Sequence, residues 1–168
     1  PIYILKSFFF SPLIVPGIVV GFSLFQFLLV KMNLSVYASL FIGHTLIIIP
    51  YIIRVVGSSL EGFDYSIEEA AMSLGCKKSQ TFFKVVLPNI TSGVMAAFML
   101  AFINSFNNVP VSIFLTGPGV STLPTTMMNY VEYNYDPTVS ALSVILMILT
   151  IGIMYILEKT LGLNNFAG

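Results

Sequence analysis

Residues 32–53 read MNLSVYASLFIGHTLIIIPYII, and no residue between Lys31 and Arg54 is charged. A helix needs roughly 20 apolar residues to cross about 30 Å of hydrocarbon, so this stretch fits one membrane crossing. The same charge gaps recur outward from it. They run from Lys6 to Lys31, from Lys84 to Glu132 and from Asp136 to Glu158. The gap after Lys84 is too long for one helix. It breaks at Asn107-Asn108 and again at the turn-rich Thr116-Gly117-Pro118-Gly119. The expected spans are therefore 11–30, 36–56, 89–111 and 137–157, with an external or re-entrant segment over 112–136. The fold class is all-α, a polytopic transmembrane helical bundle of about four spans, with residues 1–168 forming a single domain.

Composition agrees. Of 168 residues, 57% are hydrophobic and only 8% charged, with a mean hydropathy of +0.95. A soluble domain carries about 25% charged residues, so the bilayer is the natural solvent for this chain. Seven basic and seven acidic residues leave no net charge, and no basic patch offers a nucleic-acid footprint. Cys76 is the sole cysteine and His44 the sole histidine, which excludes an internal disulfide and a Cys/His metal cluster. There is no GxxxxGK[ST] phosphate loop, no HExxH, no CxxC and no Ser/His/Asp arrangement, so the chain is not expected to be an enzyme by itself. It opens on Pro1 without a signal-peptide pattern, which reads as a fragment.

Pro12, Pro16 and Gly17 lie at the start of the first span and Pro50 late in the second. Membrane helices tolerate such residues, and a simple kink accounts for each. Gly43, Gly93, Ala96 and Ala97 let helices approach closely. With four spans, the N-terminus, residues 57–88 and the C-terminus share one side. That side holds Lys6, Arg54, Lys77, Lys78, Lys84 and Lys159, whereas the other holds only Lys31. Cytoplasmic loops carry the Lys/Arg excess, so 57–88 is assigned to the cytoplasm and 112–136 to the outer face.

The 57–88 loop, GSSLEGFDYSIEEAAMSLGCKKSQTFFKVVLP, is too polar to span. Ser66 followed three residues later by Glu69 has capping-box spacing and predicts a helix starting near Ile67. Gly75 suits the left-handed position that ends a helix. A second short helix is expected from Ser79 to Pro88, anchored by Phe82, Phe83, Val85 and Val86. Two short helices joined at a glycine make a knob suited to a partner's groove; an amphipathic loop packing on its own bundle is the alternative.

Glu69-Ala70-Ala71, three residues, Gly75, then Phe82, Val85, Leu87 and Pro88 resemble the EAA loop of binding-protein-dependent ABC importer permeases. The stretch TGPGVSTLPTTMMNYV and the following Asp136-Pro137 are similar to the spermidine/putrescine-type branch of that family. The resemblance implies that the loop is a coupling helix seated in a cleft of a cytoplasmic ATPase dimer, with Glu69, Ala70, Ala71, Gly75, Phe82 and Pro88 as the coupling residues. It implies a second permease subunit of a different chain, an extracytoplasmic substrate-binding protein, and location in the bacterial inner membrane among its lipids. ATP would be used by the partner ATPase, with no cofactor in this chain. Members of the family have about six spans, so two N-terminal helices would be missing from the four counted. Cys76 reads as a small packing residue, and Lys77 and Lys78 as solvated charges that hold topology.

Polar residues inside a span tend to face a cavity or another helix. Asn104, Asn107 and Asn108 cluster at the outer end of the third span beside Ser105. Asn104 and Asn108, four apart, are expected on one helix face. Such carboxamides suit the path of a small polar solute; interhelical hydrogen bonding is the alternative. The branch implies a polyamine, although its acidic residues are amides here, and an amino-acid-like solute is the other candidate. Gln26 and His44 are expected to make structural hydrogen bonds. Glu132 and Asp136 lie on the outer face, solvated or against the binding protein. A passive channel or a purely structural membrane protein is the more distant reading.

Overall fold

The computed structural model describes residues 14–134 and 136–160, and among them it is helical with no named strand. The helices are α1 (Gly17–Lys31), α2 (Val36–Glu61), α3 (Tyr65–Ser73), α4 (Lys78–Asn89), α5 (Thr91–Phe106), α6 (Val109–Leu115), α7 (Leu123–Tyr133) and α8 (Thr138–Thr160). Contacts divide the chain into two compact units, residues 1–50 with 103–168, and Tyr51–Phe102.

Among the described residues, two helices are long and apolar enough to cross a membrane unaided. At 1.5 Å per residue, the 26 residues of α2 reach about 39 Å and the 23 of α8 about 35 Å. Both fall where charge gaps predict them. The other two expected spans differ. Residues 89–111 do not form one helix: α5 stops at Phe106 after 16 residues, and α4 and α5 qualify as a span only when joined across a 69° bend. Pro88 sits just before that bend. It has no N–H for the Lys84 carbonyl, and its ring crowds the turn before it. A wider π turn over Phe82–Val86 accommodates it, with the Leu87 N–H reaching back five residues to the Phe82 carbonyl. The first expected span, 11–30, starts outside the described residues. Its described part, α1, has an α-helical half to Leu24 and a π-helical half to Lys31. Asn33, at φ 51°, provides the left-handed exit, a conformation asparagine tolerates.

In the first unit the core is built around α6, seven residues long. Val111, Ser112 and Leu115 are buried there, with Leu28 of α1 and Ser39 and Gly43 of α2. Absent side chains make this possible. A Cβ on Gly21 would lie 2.8 Å from the Pro110 carbonyl oxygen and 2.7 Å from the Phe114 ring, and one on Gly43 would strike Leu115. Phe22 and Phe114 then meet edge to face at 5.8 Å. The segment after α5 is therefore packed at its start: α6 lies against α1 rather than standing free in an outer loop. Breaks between apolar helices persist where protein buries them and caps satisfy the freed backbone groups.

In the second unit Thr81, Val86, Ile90, Ala97 and Ala101 are buried. Gly93 leaves room for the Ser59 side chain, as its small size suggests. Within the first unit, α8 turns Val144, Ile145, Ile148 and Ile151 outward, a surface that hydrocarbon solvates without loss.

Candidate functional site

Residues 57–61 of the expected 57–88 loop continue α2, which ends at Glu61, and the remainder folds as two short helices, Tyr65–Ser73 and Lys78–Asn89, joined at a glycine. The first begins earlier than Ser66-Glu69 spacing suggests. Asp64 is its cap, in extended conformation, accepting a hydrogen bond from the Ser66 N–H at 2.9 Å. A carboxylate two residues upstream outcompetes the serine hydroxyl, because a charged acceptor bonds an orphan N–H more strongly and favours the positive helix end. Ser66 is then a first-turn residue, and no Ser66–Glu69 capping box forms.

The predicted C-terminus holds. Gly75 sits at φ 92°. Its N–H donates to the Met72 carbonyl at 2.9 Å, and the Cys76 N–H donates to that of Ala71 at 3.2 Å. Those two bonds are the Schellman pair, which needs a left-handed residue at the glycine position. The second helix starts at Lys78, whose preceding residue, Lys77, donates its N–H to Gln80 Oε1 at 3.3 Å. It runs to Asn89, one residue beyond the expected Pro88.

This pair of helices presents apolar side chains to the outside. None of the nine residues of α3 is buried. Leu74 is 87% exposed and Phe83 65%, with Tyr65, Ile67 and Phe82 also exposed. Glu69, Ala70 and Gly75 are exposed, Ala71 is half-buried, and Pro88 is exposed at the far end. Cys76, Lys77 and Lys78 are exposed too.

The Asp64 cap has a pH signature. The Ser66 backbone N–H, then the Ser66 hydroxyl, hold the Asp64 carboxyl below its ordinary value of 3.8. A depressed folded-state pKa stabilises above the unfolded value, and that contribution fades as pH falls through the folded one. A spin label on Cys76 should therefore keep constant mobility from neutral pH down to about 4 and loosen below that. Asp64→Asn, which caps without titrating, should abolish the acid-induced change. An identical acid response in the two proteins rules the cap out as its source.

Asn104, Asn107 and Asn108 are not brought together as expected. Because α5 ends at Phe106, Asn104 and Asn108 do not share a helix face. Asn108 instead caps α6, its Oδ1 accepting from the Val111 N–H at 3.0 Å. Asn104 is half-buried. Asn107 borders a cavity of about 370 Å³, with Met127, Met147, Thr150 and Ile151.

A second cavity in the same unit, about 290 Å³, is lined by His44, Ser105, Ser112 and Thr122 with apolar neighbours. His44 Nδ1 lies 3.0 Å from Ser105 Oγ and its Nε2 3.1 Å from Ser112 Oγ. The structural hydrogen bonds expected of His44 are there. Its partners, 61 and 68 residues along the chain, leave no local sequence signal, and Ser112 and Thr122 were not among the expected path residues. Gln26 is exposed on α1. At the start of α8, Asp136 accepts from the Tyr130 hydroxyl at 2.9 Å and from the Thr138 N–H at 2.8 Å. It is therefore engaged in capping that helix as well as meeting solvent.

Membrane-length apolar helices, a bent pair between them and a polar loop folded into two exposed helices define an integral, polytopic α-helical membrane component. The model of the binding-protein-dependent transport system inner membrane component matches residues 3–162, and the chain belongs to that family. It is 33% identical over 154 residues to the spermidine/putrescine transport system permease protein PotC of Escherichia coli, covering 91% of this chain and 58% of that one. It is 30% identical over 143 residues to the putrescine transport system permease protein PotI of Escherichia coli, 82% of this chain and 51% of that one. The spermidine/putrescine permease PotC of Haemophilus influenzae is 30% identical over 151 residues, 89% and 58%. The chain thus spans between 51% and 58% of the length of these relatives.

Proposed function

We propose that this chain is part of the permease subunit of an ATP-driven ABC importer, forming with a second, different permease the path for a small polar solute of the polyamine class. The observation that carries the reading is the Gly75-hinged helix pair, exposed and apolar at its tip, in the loop assigned to the cytoplasm. Its exposed aromatic and aliphatic side chains need a groove, and a cytoplasmic ATPase dimer supplies one. Ala70 and Ala71 permit close approach, and Glu69, exposed on α3, pairs in this reading with a basic residue of the ATPase. Gly75 sets the angle between the helices, Phe82 adds apolar contact, and Pro88 forces the π turn that precedes the 69° bend into α5. Closure of the ATPase dimer on nucleotide would thus turn α4 and, through the bend, act on α5. A binding protein on the outer face delivers the solute. Asn107 borders a cavity, which supports it as the member of the amide cluster that meets the solute, with Asn104 and Asn108 acting through α5 and α6.

The substrate class rests on what the similar permeases are named for, namely putrescine and spermidine. Uptake of labelled putrescine by vesicles carrying the complete transporter tests the whole reading. Accumulation should require ATP and the binding protein. Flux that persists after ATP depletion indicates a passive channel and overturns the proposal. ATP-driven uptake of an amino-acid-like solute without putrescine uptake overturns the substrate class alone.

A further inference from the structure

The hydroxyl protons around the 290 Å³ cavity can be assigned one at a time. A hydroxyl has one proton to give and two lone pairs to receive with. Ser112 Oγ lies 2.7 Å from the Asn108 carbonyl oxygen, which only accepts, so the Ser112 proton is committed there. The 3.1 Å contact between Ser112 and His44 must then have the ring donate, which places the imidazole proton on Nε2. Nδ1 is left as an acceptor, and the Ser105 hydroxyl donates to it at 3.0 Å. Thr125 Oγ1 donates to the Thr122 carbonyl at 2.8 Å. The Thr122 hydroxyl, 3.1 Å from Thr125 Oγ1, therefore gives its own proton to Thr125. Each hydroxyl proton on the cavity wall is spent inside the protein. Ser105, Ser112 and Thr122 retain lone pairs, and no carboxylate lines the space.

We propose that this cavity is a transient binding site for a primary alkylammonium group, recognised by Ser105 Oγ, Ser112 Oγ and Thr122 Oγ1 with His44 fixing the direction of the serine hydroxyls. The inference rests on the transport reading above and deepens it. A wall that only accepts hydrogen bonds pairs best with a group that only donates them. An ammonium has three N–H donors and no acceptor. A carboxylate would set lone pair against lone pair, and a neutral alcohol could satisfy only one of the three acceptors, having one O–H to give. Leu40 and Phe106, also on the wall, suit the alkyl chain that follows the ammonium. The volume is at the small end of ligand sites, close to about 300 Å³. Acceptors without a full negative charge also fit a path, where binding must favour entry without preventing release. The carboxamides expected to line the path, which carry donors as well as acceptors, lack this selectivity.

The test uses the complete transporter in nanodiscs and three probes, n-butylammonium, 1-butanol and tetramethylammonium, each titrated against melting temperature. A ligand of the folded state raises that temperature by mass action. Only n-butylammonium should raise it. Ser105→Ala and Thr122→Val, each removing one acceptor, should raise its half-saturating concentration about tenfold, since a hydrogen bond to a charged group is worth roughly that factor. Thr122→Ser, which keeps the oxygen, should stay near the parent value. Ligand-free melting temperatures report whether each variant has folded. An equal shift with 1-butanol, or with tetramethylammonium, which has no N–H, overturns the proposal. So does an unchanged titration in a folded Ser105→Ala, Thr122→Val double variant. Diamine uptake without any butylammonium shift overturns this site and leaves the transport reading standing. The shift without ATP-driven uptake overturns the transport reading and leaves the site.

Discussion

Gly75→Val is expected to abolish ATP-driven uptake while leaving the membrane helices folded. Gly75 holds φ 92° with open space around its missing Cβ, so the defect is conformational rather than steric. A side chain in the left-handed region is disfavoured by about 1–2 kcal/mol, and a β-branched one by more. The backbone would relieve that strain by leaving the left-handed region, breaking the Schellman pair to Ala71 and Met72. The two short helices would then lose their fixed angle, and the apolar tip formed by Leu74 and Phe83 would no longer fit the groove proposed for it. Asparagine tolerates positive φ better than alanine or valine. Uptake should therefore fall in the order Gly, Asn, Ala, Val, with co-purification of the ATPase falling in step. Full uptake by Gly75→Val would show that the hinge geometry is irrelevant to coupling.

Gly21→Ala should destabilise the first unit more than any other single methyl added to a glycine on its membrane helices. The new Cβ would meet the Pro110 carbonyl at 2.8 Å, and a backbone atom inside a capped helix has nowhere to go. Overpacking of this kind typically costs about 1–3 kcal/mol. Gly43 faces the end of the Leu115 side chain rather than a backbone atom, so Gly43→Ala should be milder. Gly152→Ala, with nothing within 4 Å of the new methyl, should be neutral or slightly stabilising, because alanine is the better helix former. Thermal unfolding of the three variants in one detergent gives the ranking. Equal melting temperatures for Gly21→Ala and Gly152→Ala would mean that α6 does not seat against α1.

Charge placement in the sequence is enough to find α2 and α8, because a membrane excludes ionised side chains over a fixed length. It is also enough to separate the 57–88 loop from the spans and to put Gly75 at its hinge, since only glycine enters the left-handed region freely. The break at Asn107-Asn108 is legible for a related reason: two adjacent amides suit a cap better than a helix interior. What Asn108 does at that break is not legible. It faces forward into α6 as a cap, which removes it from the face of Asn104. Capping-box spacing favours Ser66, whereas the helix takes the stronger acceptor slightly upstream, Asp64.

The sequence by itself determined that this chain lives in a bilayer, where its longest helices lie, and which loop stands outside with a glycine hinge. Each follows from properties of one residue or one short window: charge, length, or permitted φ. Only the tertiary structure decided that α6 is core rather than outer loop, because that depends on Gly21 and Gly43 lying opposite Pro110, Phe114 and Leu115. Only the tertiary structure joined His44 to Ser105 and Ser112, 61 and 68 residues away. The direction of those hydrogen bonds is a property of the assembled ring of donors and acceptors. No residue type or spacing encodes it, because a hydroxyl becomes a donor or an acceptor only when its neighbours are in place.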